Sequence, residues 1–103
     1  MKILLVCCAG MSTSMLVKRM SDVAEKKGID ADISACPLGE AQGSFKNYDI
    51  VMLGPQVRYE KKKVENEVQG ALPVVDINMK DYGMMNGEKV LESAIETINN
   101  FKK

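Results

Sequence analysis

The chain contains no histidine and no tryptophan. Without histidine it cannot assemble a Ser-His-Asp or Cys-His catalytic group of its own. Histidine-containing zinc sites are excluded for the same reason. The three cysteines, Cys7, Cys8 and Cys36, fit no all-cysteine metal spacing, so no metal is expected, and nothing in the sequence implies an organic cofactor. An odd cysteine count with two neighbours suits free thiols in a reducing compartment better than a disulfide framework. An excess of one charge is also missing: 14 Lys and Arg balance 14 Asp and Glu. No basic stripe is present, which argues against a nucleic-acid partner. Long apolar runs are absent too. The longest, Ile3 to Ala9, is far too short to cross a bilayer and carries no signal-peptide cleavage pattern. The expectation is a cytoplasmic protein with no direct membrane insertion.

What remains is sufficient for a folded core. The 103 residues, 46% of them hydrophobic, show no repeat, linker or low-complexity stretch, and read as one domain over residues 1–103. A domain of this size can bury most of its apolar surface without disulfides. Lys2 to Val6 is a nearly continuous apolar run, as in a strand covered on both faces. Ser12 to Lys27 has the period of a helix, with Leu16, Met20, Val23 and Ala24 on one face and Gly28 as its stop. Ala31, Ile33 and Ala35 alternate with Asp30, Asp32 and Ser34, the pattern of a half-exposed edge strand. Asp49 to Leu53 is a second buried strand, ended by Gly54-Pro55. Val57, Lys61, Val64 and Val68 share a helix face, and Pro73 to Ile77 is a short fourth strand. Residues 81–87 read as a loop before a last helix striped by Val90, Leu91, Ala94, Ile95, Ile98 and Phe101.

This alternation predicts an α/β fold: three layers, with a four-stranded parallel sheet between helices. Placing the two most apolar strands centrally gives the order 2-1-3-4, similar to a truncated flavodoxin-like or low-molecular-weight phosphatase fold. Ligands of such sheets bind beyond the carboxyl ends of the strands. Three segments fall there: 7–14, 54–59 and 76–87.

The first of these, Cys7-Cys8-Ala9-Gly10-Met11-Ser12-Thr13-Ser14, joins the first strand to the first helix. Gly10 permits a tight turn in which successive N–H groups face one point. The helix start adds unpaired donors and a partial positive charge. Ser12, Thr13 and Ser14 supply hydroxyls for hydrogen bonds or capping. Together they form a cradle for a dianionic phosphate. The same donors favour a thiolate, which makes a cysteine at the head of the loop a nucleophile for phosphorus. Cys7 is favoured over Cys8 because the loop that follows the strand end can wrap around its sulfur.

The motif Cys-x-Ala-Gly-Met-Ser-Thr-Ser after a short apolar strand resembles enzyme IIB of the lactose/cellobiose/chitobiose class of the bacterial sugar phosphotransferase system. Leu53-Gly54-Pro55-Gln56-Val57-Arg58-Tyr59, and Tyr82-Gly83 with Asn86-Gly87, agree with it, and the resemblance covers essentially the whole chain. It implies that Cys7 takes a phosphoryl group from a phosphohistidine on enzyme IIA. The group then passes to a sugar, a β-linked disaccharide such as cellobiose, chitobiose or lactose, held by the membrane enzyme IIC. Cys8 occupies the motif's variable position.

Two rivals belong to other classes. A low-molecular-weight cysteine phosphatase or thiol reductase would share the loop position, but residues 8–14 hold no arginine clamp. A non-enzymatic flavodoxin-like binding module would not need Cys7. Arg58 and Tyr59 are read as contacts to phosphate or partner, against a plain solvated loop, and Gln56 as a further donor to the site. Tyr82 and Gly83 are read as site-edge residues, with Tyr82 packing beside the site or binding a partner, against a simple turn. Met15 is assigned to the core and Met11 to the surface. Cys36 is read as an inert buried thiol, and Lys61-Lys62-Lys63 as a solvated helix start. No exposed apolar stripe calls for a dimer, so a monomer is expected.

Overall fold

A computed structural model describes residues 1–7, 11–41, 43 and 45–101; for 11–13, 38, 41 and 56 it describes the backbone alone. Four strands, β1 (Lys2–Cys7), β2 (Asp32–Pro37), β3 (Ile50–Leu53) and β4 (Val74–Asp76), pair in parallel in the order β2-β1-β3-β4. This is the order expected from the apolar patterns. The helices are α1 (Met11–Lys27), α2 (Leu38–Ala41), α3 (Lys61–Val68), α4 (Met79–Gly83) and α5 (Gly87–Phe101). Two short 3-10 turns, Phe45–Asn47 and Pro55–Glu60, precede β3 and α3.

The central strand explains the layering. From Ile3 to Cys7 every residue of β1 is buried, so both faces must be covered. Ile3 and Leu5 point to one face, where Leu16, Met20 and Ala24 of α1 meet Val90, Leu91, Ala94 and Ile98 of α5. Leu4 and Val6 point to the other, against Phe45, Val57, Val64 and Val68. Removing each such aliphatic side chain from water contributes on the order of 1.5–3 kcal/mol. The alternation of a strand is what divides one apolar run between two cores.

Helix α1 stops where the sequence places its glycine. Gly28 adopts φ 68°, which L-residues other than glycine reach only with strain, and Ile29 N–H then returns to the Ala24 carbonyl at 2.8 Å. The chain thus turns from α1 into β2, the edge strand, whose residues are mostly half-buried.

Two segments differ from the sequence reading. The face shared by Val57, Val64 and Val68 is buried as expected, but it is built from a 3-10 turn followed by α3 rather than one helix. Residues 81–87 are not wholly a loop, because α4 covers Met79–Gly83. Its start is fixed by Asn78, whose Oδ1 accepts from Lys80 N–H at 2.9 Å and Asp81 N–H at 3.2 Å. That cap satisfies two donors a short helix would otherwise leave bare.

Candidate functional site at the carboxyl end of the sheet

Cys7 is the last residue of β1 and is 3% exposed. Strand alternation places it on the same face as Ile3 and Leu5, the face covered by α1 and α5. Only residues 8–10 separate it from Met11, where the 17-residue helix α1 begins. A helix start this close to the thiol brings unpaired N–H groups and the positive end of the helix dipole to the end of the strand. Cys8, Ala9 and Gly10 themselves lie outside the described residues, as do the side chains of Met11, Ser12 and Thr13. Ser14 is described and exposed, in the first turn of α1.

The second segment is drawn to the same edge. Gly54 N–H donates to the Val6 carbonyl at 2.8 Å, so the end of β3 is fastened beside Cys7. The 3-10 turn then presents Arg58 and Tyr59, both exposed, Tyr59 by 76%. The side chain of Gln56 lies outside the described residues. From the third segment, Ile77 N–H donates to the Leu53 carbonyl at 2.8 Å, which carries α4 to this end. Arg58 Nη1 and Met79 Sδ stand 3.8 Å apart and join the second and third segments directly.

Three placements correct the sequence reading. Tyr82 is 7% exposed and packs in the core with Val90 and Leu91, so it is not a partner contact, although Gly83 beside it is exposed. Met15, expected in the core, is 57% exposed. Leu16 takes the inward position in that turn, and a rotation of about 100° per residue carries its neighbour outward. Cys36 is partly exposed rather than fully buried. It packs beside Val6 on the opposite face of the sheet from Cys7. Burial, then the Glu40 carboxylate, then Cys7, push its thiol pKa up, which favours the protonated form.

Sequence reasoning missed Met79, and it placed Met84 at this edge without expecting it to be exposed. Met15, Tyr59, Met79 and Met84 are all more than half exposed and all belong to elements at the carboxyl end. Asn78 followed by Asp81 was the available signal: an N-cap residue with an acidic residue three positions on. Beside this patch an open groove of about 370 Å³ runs between α1 and the start of α5, lined by Arg19, Asp22, Val23 and residues 84–87. Arg19 is thus part of the groove wall. Lys61, first of the three consecutive lysines, lies 3.6 Å from Asp76 at the end of β4. Among the described residues no three His, Cys, Asp or Glu side chains gather as a metal-ligand set, and no helix is long and apolar enough to cross a membrane.

This architecture matches solved structures. The lactose-specific IIB component domain of the phosphotransferase system from Streptococcus pneumoniae superposes with a TM-score of 0.85 over 94% of this chain and 96% of that one; at 18% identity this shows the fold. The cellobiose-specific IIB component from Borrelia burgdorferi superposes with a TM-score of 0.80 at 48% identity, over 97% of this chain and 93% of that one. The class is thus a transferase subunit of a sugar phosphotransferase system. Residues 2–93 match the model of the family described as the lactose/cellobiose-specific IIB subunit of the PTS system, and the chain belongs to that family. Its relatives include the oligo-beta-mannoside-specific EIIB component of Bacillus subtilis, 38% identical over 96% of this chain and 97% of the relative. The galactose-specific EIIB component of Lactococcus lactis subsp. cremoris and the cellobiose-specific one of L. lactis subsp. lactis are each 41% identical, over 94% of this chain and 95% of the relative.

Proposed function

We propose that the chain is a phosphocarrier whose Cys7 accepts a phosphoryl group from a phosphohistidine of enzyme IIA and passes it to a sugar bound by the membrane enzyme IIC. The observation that carries this reading is Cys7 itself: a nearly buried thiol ending a central strand, with a long helix beginning four residues later. In the first step the Cys7 thiolate attacks phosphorus in line. The S–P bond forms, the P–N bond breaks, and the electron pair returns to the imidazole of the donor. In the second step a sugar hydroxyl attacks the phosphocysteine, the S–P bond breaks, and the thiolate is regenerated while a base on the acceptor takes the hydroxyl proton. Main-chain donors of residues 8–14 hold the equatorial oxygens in both steps, and positioning and electrostatics supply most of the catalysis.

Burial of Cys7 serves a carrier. A phosphocysteine kept from bulk water survives until the acceptor docks, and the absence of an arginine from residues 8–14 disfavours hydrolysis. Donor and acceptor both approach over Met15, Tyr59, Met79 and Met84, with Arg58 at the rim of the contact. Flexible thioethers adapt to unlike surfaces, and each interface is small and transient, at or below about 1,200 Å². The chain acts in the cytoplasm as a single-domain monomer, reaching the membrane only through IIC. The sugar is a β-linked disaccharide such as cellobiose, chitobiose or lactose, selected by IIC.

Reconstitution tests the reading. IIC vesicles supplied with phosphorylated IIA should phosphorylate sugar only when this chain is added, and Cys7→Ser should abolish the reaction while the domain stays folded. Sugar phosphorylation by Cys7→Ser at the wild-type rate would overturn it.

A further inference from the structure

Gly87, the first residue of α5, is buried against the middle of α1. A Cβ at this position would stand 2.7 Å from the Arg19 carbonyl carbon, 2.8 Å from Met20 N and 2.9 Å from Arg19 Cβ. Two of these three are backbone atoms and cannot rotate away. Gly28, Gly39, Gly43, Gly70 and Gly83 have nothing within 4 Å of the same point. The contact at Gly87 is therefore a particular close approach, where the helix over the sheet touches the helix that leads from Cys7.

We propose that Gly87 is a positioning residue for phosphoryl transfer: its missing side chain sets the seat of α1, and through it the loop after Cys7. The proposal rests on the carrier reading above. Carbon atoms in ordinary contact stand about 3.5–4.0 Å apart, so a methyl group at residue 87 would part the helices by about 1 Å. The start of α5 is held on its own side. Asn86 N–H donates to the Asp81 carbonyl at 2.9 Å, Gly87 N–H to the Met85 carbonyl at 2.9 Å, and Asn86 Oδ1 accepts from Lys89 N–H at 3.2 Å. Met85 takes φ 54° to make that turn. The far end of α1 is held as well, by the Gly28 turn and by the bond from Asp32 N–H to the Met1 carbonyl at 2.8 Å. With that end fixed, α1 pivots. Arg19 lies eight residues from Lys27 and Met11 sixteen, so at 1.5 Å per residue a step of about 1 Å at Arg19 becomes about 2 Å at the first turn. That turn is where the phosphoryl oxygens are to be held, and a misplacement of this size is enough to slow transfer by a large factor.

The experiment compares Gly87→Ala with Ile98→Ala, a core truncation near the other end of the same helix, and expresses every rate per folded molecule. Two rates are read: phosphoryl uptake from saturating phosphorylated IIA, and alkylation of Cys7 by iodoacetamide, assigned by tandem mass spectrometry. Gly87→Ala should slow uptake about tenfold or more without raising the KM for IIA, and should slow alkylation of Cys7, whereas Ile98→Ala should change neither. If Gly87→Ala is too unstable to assay directly, it is measured in trimethylamine N-oxide, which favours the folded state. Wild-type rates in Gly87→Ala, or equal losses in both variants, would overturn the proposal. Should the wild-type chain itself take no phosphoryl group, the carrier reading fails, and the alkylation comparison still decides whether Gly87 positions the loop.

Discussion

At the amino end of the sheet the strand starts are tied to one another. Lys2 N–H donates to Asp49 Oδ2 at 2.7 Å, Asp49 N–H returns to the Lys2 carbonyl at 2.8 Å, and the terminal ammonium donates to the Asp30 carbonyl at 3.0 Å. At the carboxyl end β3 and β4 are fastened by single backbone bonds from Gly54 and Ile77, beyond which the chain turns outward and exposes Met15, Tyr59, Met79 and Met84. The large apolar residues exposed at the amino end are Met1 and Phe101, at the chain's two extremities. One end thus spends its polar groups on holding strands in register. The other leaves apolar surface uncovered around a thiol. On the proposed function, stability and phosphoryl transfer occupy opposite ends of the same strands, which makes them separable by mutation.

The comparison breaks if substitutions at the two ends have the same effect. The largest effect expected from a surface change is at the carboxyl end: Tyr59→Ala with Met84→Ser should raise the KM for phosphorylated IIA about tenfold while leaving Tm unchanged, since an exposed aromatic anchor carries much of a small interface. A steady-state titration of donor checks this, and an unchanged KM would remove the exposed patch from the docking account. At the amino end Asp49→Ala should do the reverse. Losing an acceptor for Lys2 N–H costs about 1–2 kcal/mol, seen as a fall in Tm of roughly 5 °C or more, with transfer per folded molecule unchanged.

The smallest effect concerns Cys36. Its folded-state pKa lies above its unfolded value, so the native state holds the proton more tightly. Its contribution is fully present below the unfolded pKa of about 9 and is lost as pH rises from there through the folded value. Cys36→Ser should therefore flatten a small part of the alkaline decline in stability above about pH 9, measured by urea denaturation at stepped pH. An identical decline in both proteins would show that the thiol is not held neutral by the fold.

The sheet order was legible because burial writes itself into strands. Residues 3–6 are apolar throughout, as a strand covered on both faces requires, while Asp30, Asp32 and Ser34 mark an edge. Cys7 as the residue that ends β1 was legible from the same run. The short helix α4 was not, since five residues carry too little periodicity and its existence depends on the Asn78 cap. The side on which Met15 stands was equally obscure, because methionine suits either environment and only the helix rotation set by Leu16 decides it. Tyr82 was ambiguous in the same way: a ring beside a glycine serves a turn, a surface or a core, and packing by Val90 and Leu91 chose the core. Gly87 stood out only as part of the Asn86-Gly87 stretch that matches the family; its contact with α1 was not legible, because a close approach between helices shows only when both are in place.

The most direct trial of the account is to map the phosphoryl group itself. The chain is incubated with phosphorylated IIA, digested without exposure to acid, and sequenced by tandem mass spectrometry. One acid-labile phosphoryl group on Cys7 is the predicted result. A group on Cys8, or none on any cysteine while IIC still receives phosphate, would contradict the account.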